Sequence, residues 1–119
     1  MRLSLLAVAA SLAATVLAGC AGGHEHLDTG TIAPGEQKAL TFATAGVYEL
    51  HCHPHPFMLH TVTVAEDGPQ EVLVKIHDGD TVEDYRYEPR NVTVGVGGRV
   101  VYLNAGREPH TATYDGHEH

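Results

Sequence analysis

The chain has 119 residues, with seven Lys plus Arg against fifteen Asp plus Glu, ten His, two Cys and no Trp. A formal charge of −8 argues against nucleic acid as a partner, because phosphate binding relies on Lys and Arg. The length suits one small domain with one core and excludes two.

The first element in chain order is a leader. In "MRLSLLAVAASLAATVLAGC", Arg2 supplies a positive start, Leu3 to Leu17 is a nearly continuous apolar run, and Leu17-Ala-Gly-Cys20 reads as the processing box of a bacterial-type lipoprotein. Residues 1–19 are thus expected to leave as a signal peptide, with Cys20 lipidated as the first mature residue. The protein would then be lipid-anchored to the membrane on the exported, periplasmic or extracytoplasmic, side of the cell envelope. A retained transmembrane anchor is the alternative, but the run is short for a span of about 20 apolar residues. Several acyl chains on one residue hold a protein stably, where one holds it only marginally. Loss of Arg2 leaves six basic against fifteen acidic residues, a net −9. Plain solubility is the simpler account of that charge, and steering toward a basic partner is the other.

Residues 20–31, "CAGGHEHLDTGT", have glycine, polar groups and no periodicity, and read as a tether. Residues 32–119 then hold short segments of strand character. "EQKALTF" ends at the turn "ATAG", and "VYELHC" places Tyr48, Leu50 and Cys52 on one face and Val47, Glu49 and His51 on the other. "HTVTV" follows with Val62 and Val64 in register, and "AEDGPQ" is a turn. "EVLVKI" runs to Asp78-Gly79, "YRYEP" and "NVTV" lead to a Gly97-Gly98 hairpin signal, "RVVYLN" follows, and "HTATY" closes before Asp115-Gly116. Pro89 makes "TVEDYRYEP" a poor central strand. About seven short strands without a convincing helix predict an all-β, antiparallel sandwich or barrel.

Chemistry concentrates in "HCHPHPFMLH", residues 51–60. With Cys20 assigned to lipid, Cys52 has no disulfide partner, and a lone thiol in an oxidising compartment is a liability unless buried or metal-bound. Electron-transfer copper takes a soft thiolate, two imidazoles and a weak axial thioether. Cys52, His55 and Met58 supply a thiolate, an imidazole and a thioether within seven residues, and Pro54 and Pro56 restrict the backbone around His55. A second imidazole is still needed, and only His24, His26 and His51 precede the cysteine.

"GVYELHCHPHPFMLHTVTV" resembles the copper loop of the cupredoxins, the blue copper proteins. The tight Cys-x-x-His-x-x-Met spacing is most similar to amicyanin, whereas plastocyanin carries a longer loop. In that family the other histidine precedes the cysteine, after a "V-x-W-x-N" strand and a loop with Pro-His. The matching text here lies downstream, in "YEPRNVTVGVGGRVVYLNAGREPHTATYDG", with Tyr102 in place of Trp and His110 in the ligand position. The resemblance therefore implies a circularly permuted, Greek-key cupredoxin-like sandwich. Residues 32–66 would be the family's C-terminal half and residues 71–119 its N-terminal half, fused through "DGPQ". "GHEH" at Gly23 to His26 and at Gly116 to His119 fits a trimmed tandem duplication, though a four-residue match also arises by chance.

The implied ligand set is His110, Cys52, His55 and Met58 around one copper ion per chain, with His60 as an alternative axial donor. Thr111 stands where the family often has Asn or Ser near the thiolate, which leaves that hydrogen bond open. Asn104 matches the strand-end Asn. The implied function is electron transfer by a non-enzymatic carrier. It would dock redox protein partners through His55, Pro54, Pro56 and Phe57. A copper-binding or copper-delivery protein of the envelope is the competing reading, and a colourless interaction module is a third. A monomer is expected, with a segment-swapped dimer supplying His110 in trans as the alternative. His24, His26, His117 and His119 would form a weak second metal site if the ends lie side by side. Flexible ends are the other reading.

Overall fold

The computed structural model describes residues 26–116. The expected signal sequence, Cys20, His24, His117 and His119 lie outside the described residues. Among those described, no helix is long and apolar enough to cross a membrane.

The described residues form nine strands in chain order: β1 (Leu27–Asp28), β2 (Gln37–Phe42), β3 (Gly46–His51), β4 (Leu59–Ala65), β5 (Glu71–His77), β6 (Arg86–Glu88), β7 (Asn91–Gly95), β8 (Gly98–Asn104) and β9 (Thr113–Tyr114). One sheet has the order β1-β9-β3-β4-β7 and the other β2-β8-β5-β6. The strands form because apolar side chains recur every second residue. His60, Val62 and Val64 of β4 point inward, as do Val74 and Ile76 of β5. Between the sheets, Ile32, Phe42, Leu50, Val62, Val74, Ile76, Val94, Val100 and Tyr102 are fully buried. Burial of such side chains is the main favourable term in folding.

The all-β sandwich is as expected, but the pairing is not purely antiparallel. β4 pairs parallel to β7, and β5 parallel to β8. The Gly97-Gly98 signal marks a turn that leaves one sheet for the other, since β7 and β8 belong to different sheets. Gly97 has φ +83 and its amide donates to the Phe42 carbonyl at 2.7 Å, which anchors the turn at the sandwich edge. The "AEDGPQ" turn likewise crosses between sheets, from β4 to β5.

Part of the presumed tether is built into the sandwich. Leu27 and Asp28 pair with Tyr114 and Thr113, and Ile32 forms a β-bridge with His110. "TVEDYRYEP" holds a short 3-10 turn, Val82–Asp84, and then β6 at a sheet edge, where Pro89 removes no central hydrogen bond.

Candidate metal centre

β3 and β4 are antiparallel neighbours, and the segment joining them is the "CHPHPFM" loop. Its course follows from its prolines. Pro54 and Pro56 have no N–H, and the His55 amide donates to the Cys52 carbonyl at 3.1 Å and the Met58 amide to the His55 carbonyl at 2.9 Å. These consecutive turns bring Cys52 and Met58 into the core, where they are 0 % and 2 % exposed, and leave Pro54, Pro56 and Phe57 exposed.

His110 arrives from the other half of the chain. The segment after β8 is cinched by Asn104, whose side-chain amide donates to the Ile32 and Glu108 carbonyls and whose oxygen accepts from the Gly106 amide. The Ile32 bridge then fixes the His110 backbone. His110 is fully buried, with Nδ1 3.6 Å from Cys52 Sγ, and His55 Nδ1 is 3.5 Å from the same sulfur. All three donor atoms lie within 4.8 Å of one another.

A thiolate and an imidazole bound to one metal at about 2.3 Å and 2.0 Å, at a tetrahedral to trigonal angle, must lie about 3.5–3.8 Å apart. Both observed separations satisfy this. One soft sulfur and two imidazoles, with the buried thioether of Met58 in the same loop, are the donor chemistry of a type 1 copper site.

The surroundings support the donors. Burial pushes the Cys52 thiol pKa up, and hydrogen bonding, first from the Thr111 amide, offsets part of this. A metal bound by Cys52 would therefore displace the thiol proton. Thr111 N–H lies 3.4 Å from Cys52 Sγ, so the hydrogen bond left open by the departure from Asn or Ser is made by the backbone. The Thr111 hydroxyl accepts from the His53 amide at 2.8 Å and ties the two ligand segments together.

Three residues at the site escaped the sequence reading. Asp78 accepts from His110 Nε2 at 2.7 Å and from the Arg107 and Glu108 amides. Burial works to raise the Asp78 pKa, but the hydrogen bonds from Arg107, His110 and Glu108 outweigh it and hold the carboxyl at about 2. Glu108 accepts from His55 Nε2 at 3.1 Å and from the Tyr85 hydroxyl at 2.7 Å. The Tyr85 ring centroid is 5.0 Å from that of His55 and 6.1 Å from that of His110. Asp78-Gly79 had only the signature of a turn, and no spacing rule links it to a histidine 32 positions away.

His60 is not an axial donor. Its Nδ1 donates to the Arg90 carbonyl at 2.8 Å and its Nε2 accepts from the Tyr102 hydroxyl at 2.9 Å, so both nitrogens are engaged in the core. Of the tail histidines, His26 is described and exposed.

Residues 10–65 match the family model of the copper binding proteins of the plastocyanin/azurin family. Nothing matched among the curated proteins or the solved structures. The match covers Cys52, His55 and Met58 and stops short of His110, which the fold itself adds to the cluster. Together, the two-sheet all-β fold, the family match over just under half of the chain and the Cys52–His55–His110 cluster support a cupredoxin-like sandwich whose metal is copper.

Proposed function

We propose that this chain is an electron carrier with one type 1 copper site, liganded by Cys52, His55 and His110 with Met58 as the axial donor. The observation that carries this reading is the convergence of three donor atoms at metal-binding separations, held by turns and hydrogen bonds of the protein alone. Copper held there supplies one-electron exchange between Cu(I) and Cu(II). The chain's part is to keep the ligands still. The proline-bounded turns, the Asn104 clasp and the Thr111 bridge limit rearrangement between oxidation states. The exposed Pro54, Pro56 and Phe57 beside His55 are the surface for docking a redox protein.

The rotated ligand order supports a circular permutation. The family match ends at Ala65, the last residue of β4, where the turn to β5 begins. β1 and β9 pair, which puts His26 and Asp115 at neighbouring ends of one ladder, as expected if a former loop was opened there. The loop's Cys-x-x-His-x-x-Met spacing supports an amicyanin-like site. The signal sequence and Cys20 support export and lipid anchoring at the envelope, which mass spectrometry of the mature N-terminal residue would check.

The test is a Cu(II) titration of the detergent-solubilised full chain, followed by visible absorption. An intense thiolate-to-copper band that saturates at one copper per chain, is bleached by mild reductant and is missing in C52A is the expected result. Pale copper bound without that band would overturn the reading. Copper that passes rapidly to a chelator would favour the delivery protein instead.

A further inference from the structure

The sandwich contains a buried charge that the ligand set does not explain. Asp78 lies in the turn after β5, outside both ligand segments, yet its side chain is 1 % exposed. A buried carboxylate is costly unless its lone pairs are filled. Here they are filled by the amides of Arg107 and Glu108 and by His110 Nε2. Gly106 makes room, since a Cβ at that position would collide with the Asp78 carboxylate. The nearest guanidinium nitrogen, on the exposed Arg107, is 3.9 Å away, a distant counterion.

An ionised carboxylate only accepts hydrogen bonds, so the proton of the 2.7 Å contact resides on His110 Nε2. In the neutral imidazole that leaves the Nδ1 lone pair on the Cys52 Sγ side, the tautomer a metal needs. The same bond places a fixed negative charge one imidazole ring from the donor face, in surroundings where salt screens little. Negative charge stabilises Cu(II) more than Cu(I). Glu108 bears on His55 in the same way, but at 3.1 Å and with a side chain 46 % exposed, where water and salt weaken its charge.

We propose that Asp78 is the positioning residue that locks His110 in its metal-binding tautomer and, through its buried charge, lowers the reduction potential of the site. The proposal rests on the copper reading above. Its test is a spectroelectrochemical titration of the copper-loaded full chain in detergent, comparing wild type, D78N and E108Q. D78N keeps a carbonyl acceptor for His110 and removes the charge. The expected result is a retained thiolate-to-copper band, with a midpoint raised by the equivalent of about tenfold in the Cu(II)/Cu(I) equilibrium, about 59 mV for one electron. E108Q is expected to shift it much less. An unmoved midpoint in D78N with the band intact, or equal shifts in both variants, overturns the proposal.

A second measurement avoids the variants. In metal-free wild type, histidine ¹⁵N shifts should report His110 protonated at Nε2 and bare at Nδ1. Protonation at Nδ1 would overturn the lock even if D78N fails to fold. If wild type shows no thiolate-to-copper band, the copper reading itself fails. The tautomer measurement still decides whether Asp78 holds His110.

Discussion

Thr111 and His60 show how a single side chain is decided by its neighbours. The Thr111 amide, 3.4 Å from Cys52 Sγ, outweighs the Thr111 hydroxyl in its effect on the thiol, so T111A should keep the thiolate-to-copper band with at most a small shift. The same substitution removes the acceptor of the His53 amide, so urea denaturation should show a loss of about 1–3 kcal/mol. His60 is pushed down to a pKa of about 4, by burial first, against a hydrogen bond to the Arg90 carbonyl that works the other way. Unfolded, the same imidazole titrates near 6.5, so between pH 6.5 and 4 the unfolded chain binds the extra proton. Its contribution is fully present above pH 6.5 and is lost as pH falls toward 4. The difference amounts to roughly 3 kcal/mol. Urea midpoints of the metal-free chain should fall across that window, and a slope in H60Q as steep as in wild type would assign the effect to other groups. Neither role was legible in the sequence, where His60 reads as an alternative axial donor and Thr111 as a departure that leaves a hydrogen bond open.

At the scale of elements, the local pattern was readable and the assembly was not. The strand segments of β3, β4, β5 and β8 were readable; in β3, β4 and β5 inward and outward side chains repeat every two residues, whereas β8 buries Val100, Val101 and Tyr102 in succession. Gly97 carries a hairpin signal in sequence and Gly68 lies in a segment that reads simply as a turn, yet each carries the chain across the sandwich. Gly68 is needed there for close approach. A Cβ on it would meet the Val94 carbonyl carbon at 2.7 Å and the Gly95 nitrogen at 2.8 Å, both backbone atoms that cannot swing away. G68A should therefore cost about 1–3 kcal/mol in chemical denaturation, as overpacking does, while the copper spectrum of the folded fraction stays the same. A fully stable G68A would mean that the turn has slack.

At the scale of the whole molecule, the site is completed by one chain. Cys52 and His110 are 58 positions apart and meet within a single sandwich, so no second copy is required to bring in the histidine. The full chain should sediment as a monomer in detergent at one copper per chain. Copper binding that appears only with dimers would restore the swapped arrangement. The permutation has its own test in a re-cut gene that begins at Glu71, runs to Gly116, continues from His26 and ends at Ala65. Its new junction follows the β1–β9 pairing and its new ends open the β4–β5 turn, so it should fold and give the same thiolate-to-copper band. A re-cut chain that folds without that band would show that the present order matters to the site.

Resemblance to a known family implied the pairing of the "CHPHPFM" loop with a distant Pro-His, while the sequence by itself determined the strand pattern and the donor types in that loop. These are local properties: side-chain alternation, proline's fixed φ, and the softness of a thiolate beside an imidazole. Only the tertiary structure decided which sheet each strand joins, that two pairings are parallel, and that Asp78, Tyr85 and Glu108 gather around the imidazoles. Burial and hydrogen-bond partners of a polar side chain depend on what packs against it from elsewhere in the chain. An Asp before a Gly reads as a turn until a buried histidine donates to it.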